Sequence, residues 1–312
     1  MRLRVLLILA VLCLSSPSLH ANGRKYCYQK LGDGGSFVGS GGGTAHVNGF
    51  TVEVKPKSDA ESASCHATVR STSGVTVFEL EEWGIEIDPV TGKDINGDGY
   101  PDAVLVSFSG GAHCCTKYYF ISLGNKPGLI RDFDNAQEAL FRDLKGDGRM
   151  EILIRDGSFD EHFGLAHPYS PFPLLIVRLR GDKFEDLGSQ FSGEFKKEIL
   201  TLRRGLKTKS QKNFLDSNPN DIHDAQDYLE TESAILKIVL DYLYAGQPDK
   251  ARSALAELWP PAHQDRAWDE IVRGYCNGLR AQLGLPSNSI CGRATSGKSG
   301  KSGTDGRVAQ LN

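Results

Sequence analysis

Two stretches of this chain carry the same acidic row, 49 residues apart: residues 94–105 read DINGDGYPDAVL and residues 143–154 read DLKGDGRMEILI. Asp94, Asp98, Gly99 and Asp102 align with Asp143, Asp147, Gly148 and Glu151, and the apolar Ile95 aligns with Leu144. A register kept at this many positions points to one structural unit used twice, and a period near 50 suits a β repeat. Each row runs into an apolar segment, AVLVSF or EILIRD, so the unit is a polar loop feeding a β-strand.

Counted from Asp94, oxygen side chains fall at positions 1, 3, 5 and 9: Asp94, Asn96, Asp98 and Asp102. Ca²⁺ takes roughly six to eight oxygen ligands, and a tight loop with alternating oxygen side chains can wrap one ion. Gly99 permits the sharp turn, and the main-chain carbonyl of Tyr100 is a natural further ligand. An EF-hand is excluded because its twelfth position, a bidentate Glu, is here Leu105, and a strand follows in place of a helix. In the second row Asp143, Asp147 and Glu151 are weaker candidates. Lys145 occupies a ligand position there, and an ammonium cannot ligate Ca²⁺. It could instead sit among the carboxylates in place of the ion. For either row the alternative is an Asx-type turn without metal.

These two loops resemble the FG-GAP/VCBS-type calcium repeat of secreted bacterial proteins and integrin-like propellers, over roughly residues 88–190. The resemblance implies a mainly β N-terminal domain of β-propeller-like or partial-propeller repeats. It implies structural Ca²⁺ held by Asp94, Asn96, Asp98 and Asp102. A closed propeller needs at least about four blades, and only two copies are visible.

The first 21 residues, MRLRVLLILAVLCLSSPSLHA, have a basic start, a short apolar run and a small residue at the end. They read as a secretory leader cut after Ala21, and the chain is expected in the periplasm or outside the cell. No later segment is long and apolar enough for a transmembrane anchor. Removing Arg2 and Arg4 from the 36 basic residues leaves 34 against 39 acidic ones. That balance argues against a nucleic-acid partner.

Without Cys13 six cysteines remain of seven: Cys27, Cys65, Cys114, Cys115, Cys276 and Cys291. An even number in an exported chain points to disulfides. Cys276 with Cys291 is the simplest pair. Cys114 and Cys115 close the turn GGAHCC, and three readings stand open for them. They could bond to each other, under strain because adjacent Cα atoms are only about 3.8 Å apart. Cys27 and Cys65 could each take one of them. Or His113 and two thiolates could hold a soft metal.

Residues 22–48 are Gly-rich and read as a loose lead-in held by Cys27. FTVEVKP, HATVR, TVFELEEWGIEI, AVLVSFS, TKYYFISLG, EILIRD and PLLIVRLRG read as strands. Residues 196–212 hold seven Lys or Arg against one Glu and read as a solvated linker facing acidic residues 213–232. The domain organisation expected is therefore leader 1–21, β-repeat domain 22–215, helical module 216–291 and disordered tail 292–312. In the helical module YLYAGQPDKARSALAELWP resembles a tetratricopeptide helix–turn–helix junction, although such arrays usually need about three units.

DEHFGLAH brings Asp160, Glu161, His162 and His167 into a Pro-rich loop. A hydrolase with its site in residues 156–173 is thus the alternative to the main expectation, which is a binding or structural role with no catalytic residue. A protein or carbohydrate ligand is the expected partner class. Nothing in the sequence sets the oligomeric state.

Overall fold

The computed structural model describes residues 25–31, 37–58, 63–110, 116–135, 137–218, 225–286 and 289–291. The leader, the turn holding His113, Cys114 and Cys115, and the tail from 292 lie outside the described residues.

Among the described residues fourteen strands form three antiparallel sheets. The strands are β1 (Lys25–Leu31), β2 (Phe37–Gly41), β3 (Gly43–Val47), β4 (Phe50–Ser58), β5 (Ala63–Ser71), β6 (Thr76–Glu82), β7 (Gly84–Ile87), β8 (Asp102–Phe108), β9 (Thr116–Ser122), β10 (Gly128–Asn135), β11 (Ala139–Arg142), β12 (Glu151–Arg155), β13 (Leu174–Arg180) and β14 (Lys183–Asp186). The Gly-rich lead-in is thus not loose. Its residues supply β1 to β3, because Gly41 and Gly42 at φ 86° and 121° let the chain turn where a side chain would strike backbone.

The 49-residue period is visible as two four-stranded meanders, β7-β8-β9-β10 and β11-β12-β13-β14. In each, the acidic loop joins the first strand to the second, and the last acid of the row, Asp102 or Glu151, opens that second strand. The first meander is widened by β1 and β2 into a six-stranded sheet of order β10-β9-β8-β7-β1-β2, and β3 to β6 make a third sheet. The described strands form no closed barrel or propeller.

Strand parity sorts the six-stranded sheet into two faces. Ile85, Ile87, Ala103, Leu105, Tyr119 and Ile121 pack against Val52, Val54, Ala67 and Val69 of β4 and β5. Cys27 of β1 is bonded to Cys65 of β5 across this sandwich. The expectation that these cysteines might each hold Cys114 or Cys115 is therefore corrected. The opposite face turns Val104, Tyr118, Phe120 and Phe133 onto the second meander. Phe184 of β14 sits edge-on to both Phe120 and Phe133, at 6.0 and 5.8 Å. Strand β13 is buried on both sides, as its unbroken apolar run LLIV requires.

Among the described residues six α-helices follow: α1 (Ser192–Gly205), α2 (Thr208–Leu215), α3 (Gln226–Tyr244), α4 (Pro248–Leu258), α5 (Gln264–Asn277) and α6 (Leu279–Gln282). The basic block expected as a linker is α1 and α2. Its charges occupy the outer faces, while Phe195, Ile199 and Phe214 enter the same core as β13 and α3. Helical structure thus begins at Ser192 rather than near residue 216. Helix α4 turns Ala251, Ala254, Leu255 and Leu258 inward, and Cys276 is bonded to Cys291. No described helix is long and apolar enough to cross a membrane.

Candidate functional site

The first acidic loop is shaped by its own carboxylates. Asp94 Oδ1 accepts the N–H groups of Gly97 and Asp98 at 2.7 and 3.2 Å, and its Oδ2 accepts that of Gly99 at 2.9 Å. Asp98 Oδ1 takes the Tyr100 N–H, and Asn96 Oδ1 takes that of Asp98. Gly97 and Gly99 sit at φ 76° and 87°, which L side chains rarely adopt, so the spacing of the two glycines is a backbone requirement. The Asn96 carbonyl accepts the N–H of Gly181, in the β13–β14 turn, at 2.8 Å, so the loop is clasped to the second meander. Tyr100 is half exposed, and its ring packs on Gly124.

Asp102 sits at the base of this loop with no solvent exposure. Its Oδ2 accepts the N–H groups of Ile95 and Asn96 at 2.8 and 3.2 Å. Its Oδ1 is buried and has no hydrogen-bond partner. Burial pushes this carboxyl up to about 7; the two N–H groups oppose the shift and the charges of Asp98 and Asp94 add to it.

The second loop repeats the bonds that Asp94 and Asp98 make to the main chain, without those of Asn96. Asp143 Oδ1 accepts Gly146 and Asp147 N–H, its Oδ2 accepts Gly148 N–H, and Asp147 Oδ1 accepts Arg149 N–H. Gly146 and Gly148 stand at φ 71° and 82°. These N–H groups, Gly148 first, hold Asp143 below the usual carboxylate range. Glu151, fully buried like Asp102, accepts the Leu144 N–H on Oε2 at 2.8 Å.

The difference lies on the other oxygen. Glu151 Oε1 is bonded to the guanidinium of Arg178, a buried residue of β13 whose Nη2 is also 3.9 Å from Asp147. Strand register explains it. Ser122 stands opposite Asp102 in β9, whereas the pairing of Ile152 with Val177 puts Arg178 next along the register, beside Glu151. Lys145 does not enter the carboxylates, which corrects the expectation. It donates to Gln190 at 3.2 Å and lies over the Phe191 ring. A small gap of about 30 Å³ separates the first loop from Arg149, Arg178 and Arg180.

Among the described residues no three His, Cys, Asp or Glu side chains gather closely enough to hold a metal by themselves. The donor set still fits Ca²⁺ in the first loop. Asn96 and the main chain supply neutral oxygens, a carboxylate oxygen that accepts one N–H keeps a lone pair, and the orphaned oxygen of Asp102 lacks a positive partner. In the second loop Arg178 already fills that role.

The histidines of residues 156–173 are not brought together as one site. His167 Nδ1 is 2.9 Å from Asp160, while His162 Nδ1 is 3.5 Å from Glu270 of α5. Glu161 and Phe163 hold positive φ, and Leu279 N–H and Tyr244 OH tie this loop to the helices through Ser158 and Asp156.

Two structural features escaped sequence reasoning. One is Arg178, whose pairing depends on register. The other is a cleft of about 810 Å³ between the six-stranded sheet and β11, lined by Tyr26, Tyr28, Trp83, Phe108, Tyr118 and Phe141. Its residues come from separate strands, and no local motif marks it. Comparison with family models, with curated proteins and with solved structures finds no match to this chain.

Proposed function

We propose that this chain is an exported, calcium-stabilised β-repeat protein that acts by binding, with one structural Ca²⁺ at the first acidic loop. The observation that carries the reading is the buried, unpartnered Oδ1 of Asp102, beside a loop whose other oxygens are Asp94, Asn96, Asp98 and the Tyr100 carbonyl. A carboxylate buried without a partner is costly. A divalent cation compensates it, as the Arg178 guanidinium compensates Glu151. The two meanders are then two propeller-like blades, one ion-bound and one ion-free. The two disulfides among the described residues favour an oxidising compartment, in line with a cleaved leader.

Bound Ca²⁺ would act on folding. An ion at about 100 times its Kd adds about 2.7 kcal/mol to the folded state. For a chain of this size that is a rise in melting temperature of about 4–5 °C. Thermal melting in EGTA and in excess CaCl₂ tests it. The rise is expected for the native sequence and is lost in Asp102→Asn and Asp98→Ala. Equal melting temperatures with and without calcium would sink the reading.

A further inference from the structure

The second meander covers only part of the six-stranded sheet. Over β8, β9 and β10 the two pack face to face, with Val104, Tyr118, Phe120 and Phe133 entering the shared core. Over β7 and β1 the same face stays open and floors the cleft of about 810 Å³. Cys27, Ile85 and Ile87 point into the N-terminal sandwich, so the alternate residues of these strands, Tyr26 and Tyr28 among them, face the cleft. Rings dominate this surface. Tyr26 stacks on Tyr28 at 5.3 Å, and Trp83 meets Phe108 edge-on at 5.7 Å.

The side wall of the cleft is a strand edge. Glu138, Ala139, Leu140 and Phe141 line it in succession, whereas a strand seen face-on would turn every second residue away. Strand β11 ends its sheet, in the order β11-β12-β13-β14. The ladder fixes which of its main-chain groups point outward. Asp156 N–H donates to the Pro173 carbonyl, so the even-numbered residues of β12 bond to β13 and the odd-numbered ones to β11. Glu151 and Leu153 are paired with Arg142 and Leu140, so these two residues carry the bonds between β11 and β12. Ala139 and Phe141 therefore turn their N–H and C=O groups away from β12. The Ala139 N–H agrees: it donates to the Tyr118 hydroxyl on the cleft floor at 2.6 Å. The Ala139 carbonyl and both main-chain groups of Phe141 have no partner among the described residues.

A short edge strand is an ordinary way to end a sheet. This one differs because its unpaired edge stands beside an apolar floor that continues the interface between the two sheets. A fifth strand bonded to β11, about 4.8 Å further out, would lie over β7 and β1 and extend that packing. An extended chain meets both demands at once. Its main chain satisfies the edge, and every second side chain enters the cleft. A small apolar molecule would fill the floor and leave the edge unbonded.

We propose that the cleft takes an extended peptide segment of a partner protein, added as a strand to β11, with apolar residues at alternate positions against Tyr26, Tyr28 and Phe108. The four residues of β11 pair with about four to six residues of the peptide. The proposal names the partner class of the binding role proposed above and rests on that role, not on the ion.

The test uses a displayed library of random peptides of about seven residues, selected on the full mature chain in CaCl₂. Selected sequences are resynthesised and titrated by calorimetry. They are expected to alternate apolar residues and to bind saturably. N-methylation of the alternate set of peptide amides that faces β11 weakens binding by about tenfold or more, while methylation of the other set is tolerated. Tyr26→Ala and Phe108→Ala change exposed side chains, with melting curves as the check on folding, and each weakens binding by about five- to tenfold. The inference is overturned if no selected peptide binds, if the two methylated sets respond equally, or if binding is indifferent to both substitutions. Self-association of the chain that Tyr26→Ala abolishes would give the edge to a second copy and overturn it as well. Peptide binding without a calcium-dependent melting shift sinks the calcium reading alone. That shift without peptide binding sinks the partner class alone.

Discussion

The two acidic loops share the bonds of their first carboxylate and their glycine angles, and differ most in what meets the last buried carboxylate. Glu151 meets Arg178 from the neighbouring strand; Asp102 meets nothing on one oxygen, with Ser122 opposite it. The shape of such a loop comes from within, from carboxylates accepting its own N–H groups. Its charge balance comes from across the sheet. A repeat can therefore keep the loop and exchange an ion for a guanidinium by changing one residue about 20–30 positions away, a span set by strand length and turn size.

The largest effect that would break this comparison is removal of the guanidinium. Arg178→Ala leaves Glu151 buried without its partner, and the loss of one member of a buried pair destabilises by about 3–5 kcal/mol. Urea unfolding should show that loss. A change below about 1 kcal/mol would mean that Glu151 is not compensated by Arg178.

A third buried carboxylate sharpens the contrast. Glu232 of α3 has an unpartnered Oε1, and burial, with the charge of Glu270 added, pushes its pKa from 4.5 up to about 8. The folded state thus favours the protonated form. Its stability is fully present below about pH 4.5 and is lost as pH rises through about 8. At about 1.36 kcal/mol per unit the loss has an upper limit near 5 kcal/mol, which relaxation and water entry reduce to a few. Glu232→Gln should flatten that part of the pH–stability curve, and calcium should leave it unchanged because Glu232 lies outside the loops. A calcium-sensitive loss between pH 5 and 8 that survives Glu232→Gln would place the responsible group elsewhere.

Next in size is the calcium increment itself, about 2.7 kcal/mol at 100 times Kd, which Asp102→Asn removes. The matching change in the second loop, Glu151→Gln, should leave the increment intact while destabilising the fold, because it strands the buried Arg178. If both substitutions abolish the calcium response equally, the loops are not distinct.

The acidic rows were legible because their residues act on their neighbours: a carboxylate three to five residues from the N–H it binds is a local pattern. The apolar runs of β8 and β9 and the inward alanines of α4 were legible for the same reason. What stayed hidden is set across the sheet or by burial. Arg178 reads as one more charge in PLLIVRLRG until register puts it beside Glu151. The lead-in became three strands because the sandwich supplies partners and a disulfide that Gly-rich composition does not announce. The basic block hid α1 and α2 because seven charges mask the spacing of Phe195 and Ile199. The cleft gathers two or three residues from each of β1, β7, β8, β9 and β11, so no window of sequence contains it.

The smallest effect is the most telling about that limit. Lys145 stands where an oxygen ligand belongs, and on sequence alone it is the residue that separates the two loops. In the fold its ammonium lies over Phe191 and donates to Gln190, on the exposed side of the loop. An exposed cation–π contact is worth about 0.5–1 kcal/mol, so Lys145→Asn should shift stability by no more than that. It should also bring no calcium response to the second loop, since Arg178 still occupies Glu151. Only the double change, Lys145→Asn with Arg178→Ser, recreates the charge balance of the first loop, and calcium should recover part of the stability that Arg178→Ser removes. Calcium titrations followed by melting temperature on an Asp102→Asn background, where the first loop is silent, separate the two outcomes. A response from Lys145→Asn alone would mean that the local residue, not the partner across the sheet, decides which loop holds an ion.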